Sequence, residues 1–155
     1  MLNELKTELQ KFANPEQDKI SRKFFKTGKG QYGEGDIFLG IKVPVQREIA
    51  KKYNLELREI QELLNSKIHE ERNVGLLILM NRYKKAKKNL VEKRRIFEFY
   101  LDNRKRINNW DLVDVSAPTI LGDFLEREET GILTQLAKSE NVWERRMAIV
   151  STYAF

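Results

Sequence analysis

Apolar residues recur at intervals of three and four along almost the entire chain, which is the spacing of one face of an α-helix. Only three prolines and eight glycines interrupt the 155 residues, too few for a sandwich or barrel built from many turns. No segment alternates apolar and polar residues as a half-buried strand does. The sequence therefore predicts an all-α protein, with clear helical spacing in four sets of residues: Leu2, Leu5 and Leu9; Ile20, Phe24 and Phe25; Leu57, Ile60 and Leu64; and Val74, Leu77 and Ile78.

Prolines and polar caps mark where these helices begin. Pro15 and Pro44 suit the first turn of a helix, and Asn141 followed three residues later by Glu144 is typical of a capped start. The predicted helical segments are 2–13, 15–26, 44–53, 57–64, 69–85, 90–101, a segment from 110, a short turn at 132–136, and a segment from 142.

A weak internal repeat suggests how the helices are arranged. In three segments a charged residue stands three positions before a small one, as close helix packing requires. Half the 73-residue distance between the first and last segments lies near the roughly 40-residue period of two-helix repeats. We therefore expect a helical repeat solenoid, or α-α superhelix. The segments are Arg72-x-x-Gly75, Asp114-x-x-Ala117 and Arg145-x-x-Ala148.

Composition excludes several kinds of chemistry. The chain has no cysteine, so disulfides, thiol nucleophiles and cysteine-ligated metals are excluded, and its only histidine is His69. Any reaction is left to carboxylates, aromatic rings, lysine and arginine. No apolar run approaches the roughly 20 residues that span a bilayer, and the N-terminus does not resemble a signal peptide. We expect a soluble, cytoplasmic protein.

Positive charge is concentrated in one stretch, residues 81–106, called here the basic stretch. It holds eleven Lys or Arg against three acidic residues, so the rest of a chain with net charge +6 is at −2. Such asymmetry indicates a face that meets a polyanion, with Lys87 and Lys88 as candidate phosphate contacts. A solvated helical face without a partner is the alternative, and charge alone favours neither.

The segment Gly28-Lys29-Gly30-Gln31-Tyr32-Gly33 matches the pattern G-x-G-x-x-G of dinucleotide-binding proteins. That pattern binds pyrophosphate only between a strand and a helix. Here a predicted helix precedes it, and an extended apolar segment at 37–43 follows. We interpret it as a surface loop whose backbone could approach phosphates, and not as a dinucleotide site.

A tryptophan and a carboxylate share one face of a later helix. Asn108 and Asp111 predict a helix start just before Trp110, and Pro118 predicts a bend further on. Trp110 and Asp114 are one turn apart, an arrangement that suits a flat, positively charged ligand. The alternative is structural, with a buried tryptophan and an Asp114 that pairs with an arginine of another repeat: Arg72, Arg145 or Arg146.

Four segments, in this order, resemble the DNA alkylation repair family of HEAT-like DNA glycosylases. The resemblance extends over nearly the whole chain. It implies a horseshoe of stacked helical pairs that holds duplex DNA on a concave, basic surface. It also implies hydrolysis of the N-glycosidic bond of N3- or N7-alkylated purines, without metal or cofactor. The segments are Phe24-Phe25-Lys26-Thr27, Gly40-Ile41-Lys42-Val43-Pro44 with Arg47, Asn109-Trp110-Asp111-Leu112-Val113-Asp114, and Trp143-Glu144-Arg145-Arg146-Met147-Ala148-Ile149.

The resemblance also implies roles for individual residues. Trp110 corresponds to the family's aromatic contact with the lesion nucleotide, and Asp114 corresponds to its catalytic carboxylate. Arg146 corresponds to the arginine that holds the DNA backbone. Trp143 lies where the family often has an aromatic residue and is a second candidate lesion contact. Arg145, beside it, is a further candidate DNA contact.

Two other functions stay open: a HEAT-like module that binds DNA structure without cleaving it, and a protein-interaction scaffold. The expected partner is double-stranded DNA with alkylated bases, bound by a monomer in the cytoplasm, or at the nucleoid if the protein is bacterial. The chain stops at Phe155 inside an apolar helical pattern, whereas family members continue for further helices. We therefore expect residues 1–155 to be a single HEAT-like domain truncated at its C-terminus, with Ile149 and Phe155 exposed.

Overall fold

The computed structural model describes residues 1–31, 33–128 and 131–155. Over these ranges the chain is helical, as predicted, and its only β-pairing is one parallel bridge between Ile37 and Ile68. None of the helices in this part of the chain is long and apolar enough to cross a membrane. The contacts group into two compact units, Met1–Leu79 and Met80–Phe155.

The first unit contains four complete helices and the beginning of a fifth: α1 (Leu2–Lys11), α2 (Pro15–Phe24), α3 (Val43–Lys52), α4 (Leu57–Leu64) and residues 69–79 of α5 (His69–Ala86). The second unit contains the end of α5 and the helices α6 (Leu90–Asp102), α7 (Trp110–Ala117), α8 (Asp123–Arg127), α9 (Ile132–Ala137) and α10 (Val142–Ser151). Two 3₁₀ turns, Arg104–Arg106 and Thr152–Ala154, and a π-helical turn, Pro118–Gly122, complete the second unit.

The predicted helices are confirmed, and their ends differ from prediction by at most two residues. One predicted cap is wrong: α7 is capped by Asn109, not by Asn108. The backbone of Asn109 is extended, and its Oδ1 accepts the N–H of Trp110 at 2.8 Å. An extended residue with a short polar side chain is what a helix start requires, and Asn109 meets that requirement directly before the first turn.

The interruption predicted at Pro118 takes the form of the π-helical turn. Proline has no N–H, so it cannot donate the hydrogen bond that the carbonyl of Asp114 would otherwise accept from it. The chain widens instead, and the N–H of Asp123 bonds to the carbonyl of Pro118, five residues back. Single π-helical turns of this kind are frequent at functional sites.

In the first unit, a loop after α2 is attached to the start of α5. The Glu70 carboxylate is buried and accepts hydrogen bonds from the N–H groups of Leu39, Gly40 and Ile41 at 2.8 to 3.2 Å. Gly40 has a φ of +79°, which favours glycine at this position. The loop interpretation of the glycine-rich segment holds for its described residues; Tyr32 lies outside them.

The apolar side predicted for α2 does not form part of the core of the first unit. Ile20 and Phe24 are 61% and 62% exposed, and no residue of α2 is buried. Only Phe25, just past the helix, packs inward, with its ring stacked on Phe38 at a centroid distance of 5.2 Å. The spacing correctly predicts the helix but not the burial, because periodicity defines a face without showing what covers it.

A polar cluster fixes α5, α6 and α8 to one another in the second unit. The Lys93 Nζ lies 3.0 Å from Asp123 Oδ2, and the Tyr83 hydroxyl donates to the same oxygen at 2.8 Å. Burial opposes ionisation of Asp123, but the hydrogen bonds from Tyr83 and Lys93 outweigh it and lower its pKa. Lys93 is buried, and Asp123 is its counter-ion within the fold.

We expect Asp123→Ala to reduce the free energy of unfolding by about 3 kcal/mol, because it leaves the buried Lys93 ammonium without its counter-ion. Asp123 titrates below its ordinary range in the folded state, so its contribution is present at neutral pH and is lost as pH falls below about 4. Urea unfolding of the variant and of wild type at pH 7 and pH 3 tests both points. Glu126→Ala, an exposed change on the same helix, is the control and should cost little. An equal loss at both pH values would contradict the role of the carboxylate charge.

Candidate functional site

The candidate site is formed by α7 and α10, two short helices of the second unit that each begin at an asparagine cap. Asn109 caps α7, and Asn141 caps α10 by accepting the N–H groups of Trp143 and Glu144. The start predicted at Asn141 is therefore confirmed. Both caps fix where the first turn begins, and so they fix the direction of the side chains that follow.

Two interactions hold α7 in place against its neighbours. The buried Tyr100 hydroxyl of α6 donates to Ser116 Oγ at 2.7 Å, and Ser116 in turn donates to the carbonyl of Leu112 at 2.6 Å. Burial raises the pKa of Tyr100, so this hydroxyl stays protonated and keeps donating. On the other side, Gly122 approaches α10 so closely that a Cβ there would lie 2.4 Å from the Ser151 carbonyl oxygen. These contacts fix the end of α7 and the π-helical turn that follows it.

Asp114 and Arg146 form a bidentate ion pair between α7 and α10. The Arg146 Nε donates to Asp114 Oδ1 at 2.7 Å, and Nη2 donates to Oδ2 at 2.6 Å. The side chains are 36% and 42% exposed, respectively, so the pair is open to solvent on one side. The structural alternative is therefore confirmed for Asp114, which pairs with Arg146 of the three arginines considered, but not for Trp110, which is only half-buried. The predicted approach of Asp114 and Arg146, 32 residues apart, and the partial exposure of Asp114 are both confirmed.

The ion pair stabilises the charged form of Arg146, because the hydrogen bond to Asp114 raises the pKa of its guanidinium. A planar guanidinium with two parallel hydrogen bonds also fixes the plane of the carboxylate. The remaining N–H groups of Arg146 are not used in this pair. They are able to bind a further anion beside Asp114.

The other residues of the predicted site have different surroundings. Trp110 and Trp143 are each half-buried, Trp110 at the first position of α7 and Trp143 at the second position of α10. Helical spacing places Trp110 on the same side of α7 as Asp114. Arg145 is exposed but does not join the Asp114 pair, since its Nη1 donates to the Ser139 carbonyl at 2.7 Å.

The basic stretch divides into cations used within the fold and cations left to solvent. Among the described residues, five of its cations form ion pairs: Arg82 and Arg95 with Glu92, Lys93 with Asp123, Arg94 with Glu128, and Arg104 with Glu144. By contrast, Lys87 and Lys88 are exposed in the turn between α5 and α6 and form no ion pair with the described residues. The surface charge available to a polyanion is therefore smaller than the sequence count indicates.

One pair near the site was missed by the sequence reasoning. The Glu144 carboxylate accepts from Arg104 Nε at 2.5 Å and from the Ser139 hydroxyl, and does not return to the backbone of Asn141. The Asn141–Glu144 spacing predicts the capped start of α10 but not this pairing. The opposite charges of Arg104 and Glu144 were visible in the sequence, but nothing local connects residues 40 positions apart.

The surroundings of the site bear on metal binding and include exposed apolar side chains near the end of the chain. Among the described residues no group of three or more His, Cys, Asp or Glu side chains is arranged to hold a metal ion. Ile149 and Phe155 are 63% and 58% exposed, as the sequence predicts.

Comparison with known protein families shows which family the chain belongs to. The model of the family of DNA alkylation repair enzymes matches residues 5–155, and the chain belongs to this family. A search of curated proteins finds no match. Membership gives the protein a role in DNA repair and makes DNA its substrate class. The matched range contains α7, α10 and the whole basic stretch.

We expect Arg146→Ala to lower the free energy of unfolding by less than about 1 kcal/mol, because exposed ion pairs contribute little to stability. Met147→Ala, the next residue on α10 and fully buried, should cost about 3 kcal/mol through the cavity it leaves. Urea unfolding of both variants gives the comparison. A loss above about 2 kcal/mol for Arg146→Ala would show that the pair serves the fold and not the surface.

Proposed function

We propose that the protein is a DNA glycosylase that hydrolyses the N-glycosidic bond of N3- or N7-alkylated purines in duplex DNA, with Asp114 as its catalytic carboxylate. The observation that carries the proposal is the partly exposed Asp114 carboxylate, held in a fixed plane by Arg146 in a member of this family. A carboxylate sealed in the core could not reach a sugar. Asp114 is accessible from one side and oriented from the other.

An alkylated purine is already a good leaving group, so the enzyme has little to add. An N3- or N7-alkylated purine carries a positive charge, and it becomes neutral when it leaves with the electron pair of the glycosidic bond. The positive charge then develops on the sugar, as in other glycosyl transfers. An enzyme for this reaction must stabilise that charge and help a water molecule add to the anomeric carbon.

Asp114 meets both demands. Its negative charge, held in place before the reaction, lies where it can stabilise the developing sugar cation without reorganisation. Each carboxylate oxygen accepts one hydrogen bond from Arg146 and keeps a second lone pair. One of these lone pairs can accept a proton from the attacking water as its oxygen bonds to the sugar. The products are the free alkylated base and an abasic site.

Arg146 and the aromatic residues supply binding in this proposal. Arg146 uses two of its five N–H groups on Asp114, and the others can bind a phosphate of the lesion strand. Trp110 offers an aromatic face to a cationic nucleotide one turn from the carboxylate. Trp143, on α10, is a second such contact, and Arg145 is a further phosphate contact. No step requires a metal or a cofactor.

We expect Asp114→Asn to reduce base release by at least about 100-fold while leaving DNA affinity nearly unchanged, because the variant removes the negative charge and keeps the side-chain size. Release of alkylated purine from methylated duplex DNA under single-turnover conditions, together with a binding titration, measures both quantities. Asp111→Asn, a carboxylate change on the same helix, is the matched control and should keep most of the activity.

The same experiment separates this proposal from its rivals. Salt-sensitive binding to duplex DNA without base release by wild type favours a non-catalytic DNA-structure-binding module. Absence of both favours a protein-interaction scaffold. Base release by Asp114→Asn at the wild-type rate would exclude Asp114 as the catalytic group while leaving a glycosylase function in place.

We expect the double charge reversal Lys87→Glu with Lys88→Glu to weaken DNA binding and to flatten its salt dependence, since each lost phosphate contact removes about 0.9 from the slope of log K against log salt. Binding measured between 50 and 300 mM salt tests this. Lys42→Glu with Lys51→Glu changes the net charge equally at exposed positions in the first unit and is the control. An unchanged slope in the Lys87 and Lys88 variant would mean that this turn is only solvated.

A further inference from the structure

Helix α10 is held by ion pairs on two sides, and only one of them involves the proposed catalytic carboxylate. Arg146 pairs with Asp114 of α7, and Glu144 pairs with Arg104 of the 3₁₀ turn that follows α6. Glu144 and Arg146 are two residues apart, and each residue of an α-helix adds about 100° of rotation. Their side chains therefore leave α10 in nearly opposite directions.

The Arg104–Glu144 pair is part of a wider network at the first turn of α10. The Ser139 hydroxyl donates to Glu144, while Ser139 Oγ accepts the N–H of Asn141, the cap of α10. Arg104 is itself fixed, because its Nη1 donates to the Leu101 carbonyl at the end of α6 at 2.9 Å. Glu144 is buried, and these two donors satisfy its carboxylate oxygens. The first turn of α10 is thus attached to the end of α6 through one buried carboxylate.

The two pairs have opposite polarity, and this specifies the rotation of α10 about its axis. The cation of one pair, Arg104, lies outside α10, whereas the cation of the other pair, Arg146, lies on it. A half-turn of α10 would bring Arg146 toward Arg104 and Glu144 toward Asp114. Both new contacts would join like charges, which is unfavourable. The polarity of the two ion pairs therefore destabilises the alternative rotation of α10 as well as stabilising the observed one.

We propose that Arg104 and Glu144 are positioning residues that set the rotation of α10, so that Arg146 keeps both hydrogen bonds to Asp114. The inference rests on the proposed function for its effect on catalysis but not for its effect on the Arg146 side chain. Neither residue touches the substrate. Each acts through Arg146, whose two hydrogen bonds at 2.6 and 2.7 Å tolerate little displacement.

Two single variants test the pair by changing charge in opposite directions. Arg104→Gln removes a positive charge, and Glu144→Gln removes a negative one. Both should lower the single-turnover rate of base release at saturating DNA by about 10- to 100-fold, because a displacement of about 1 Å at a catalytic group has effects of this size. If these two residues instead acted by attracting or repelling DNA phosphates directly, DNA affinity would fall in Arg104→Gln and rise in Glu144→Gln. Arg22→Gln, which breaks the exposed pair with Asp18, is the control and should leave the rate unchanged.

A readout without DNA tests the same inference directly. In wild type the Arg146 Nε–H is hydrogen-bonded to Asp114 and should exchange slowly with solvent in NMR spectra; its resonance is assigned by its absence in Arg146→Lys. Both single variants should speed this exchange by about 10-fold, as expected when a hydrogen bond of roughly 1.4 kcal/mol is lost. The exchanged pair, Arg104→Glu with Glu144→Arg, keeps an ion pair but makes both rotations of α10 electrostatically favourable, so it should not restore slow exchange. Arg104→Lys keeps the positive charge beside Glu144 and should retain slow exchange and much of the rate, which keeps the test available if Glu144→Gln fails to fold.

The outcomes separate this inference from the proposed function. Faster Arg146 exchange in the single variants of a protein that releases no base would retain the positioning role and reject the glycosylase function. Base release at the wild-type rate with unchanged Arg146 exchange in both folded variants would overturn the positioning role and leave the glycosylase function standing. A lower melting temperature alone, with exchange and rate unchanged, would also overturn it, because the pair would then serve only stability.

Discussion

An eight-residue helix is too short to be stable by itself in water, so α7 depends on its neighbours for its shape. The Asn109 cap begins it, the hydroxyl of Tyr100 attaches it to α6, and the missing N–H of Pro118 ends its regular hydrogen bonding. Asp114 lies between these constraints. Its direction is therefore set by the packing of three other segments and not by the local helix propensity of its own sequence.

The Asp114–Arg146 pair illustrates why geometry matters more than energy at this site. Because both side chains are more than a third exposed, water screens their attraction and their net contribution to folding is small. What the pair supplies is orientation, since two parallel hydrogen bonds fix the plane of a carboxylate. The buried Glu144, two residues earlier, has the complementary position: it is more costly to leave unpaired and better suited to fix the backbone of α10.

The sequence predicts the helices and one half of the site, and the reasons for its errors are physical. Trp110 and Asp114 share a face because helical spacing is local, so that part needs no tertiary information. The choice of Arg146 over its neighbour Arg145 as the partner of Asp114 depends on the rotation of α10, which spacing alone does not give. The resemblance implies only that Arg146 contacts the DNA backbone. The pairing of Arg104 with Glu144 cannot be predicted from local sequence patterns either, because 40 residues separate the partners.

The charges of the basic stretch show why a count of cations overstates a binding surface. Lys93 is buried against Asp123, and Arg104 pairs with Glu144 of α10, so both cations have counter-ions within the fold. Lys87 and Lys88 lie in an exposed turn, where attraction to phosphate would be strong and dependent on salt. The proposed function requires this division of roles, because free cations near the site would repel a cationic lesion. In that proposal, the carboxylate of Asp114 and the ion pairs around it reduce the repulsion, while Lys87 and Lys88 attract the DNA backbone from an exposed turn.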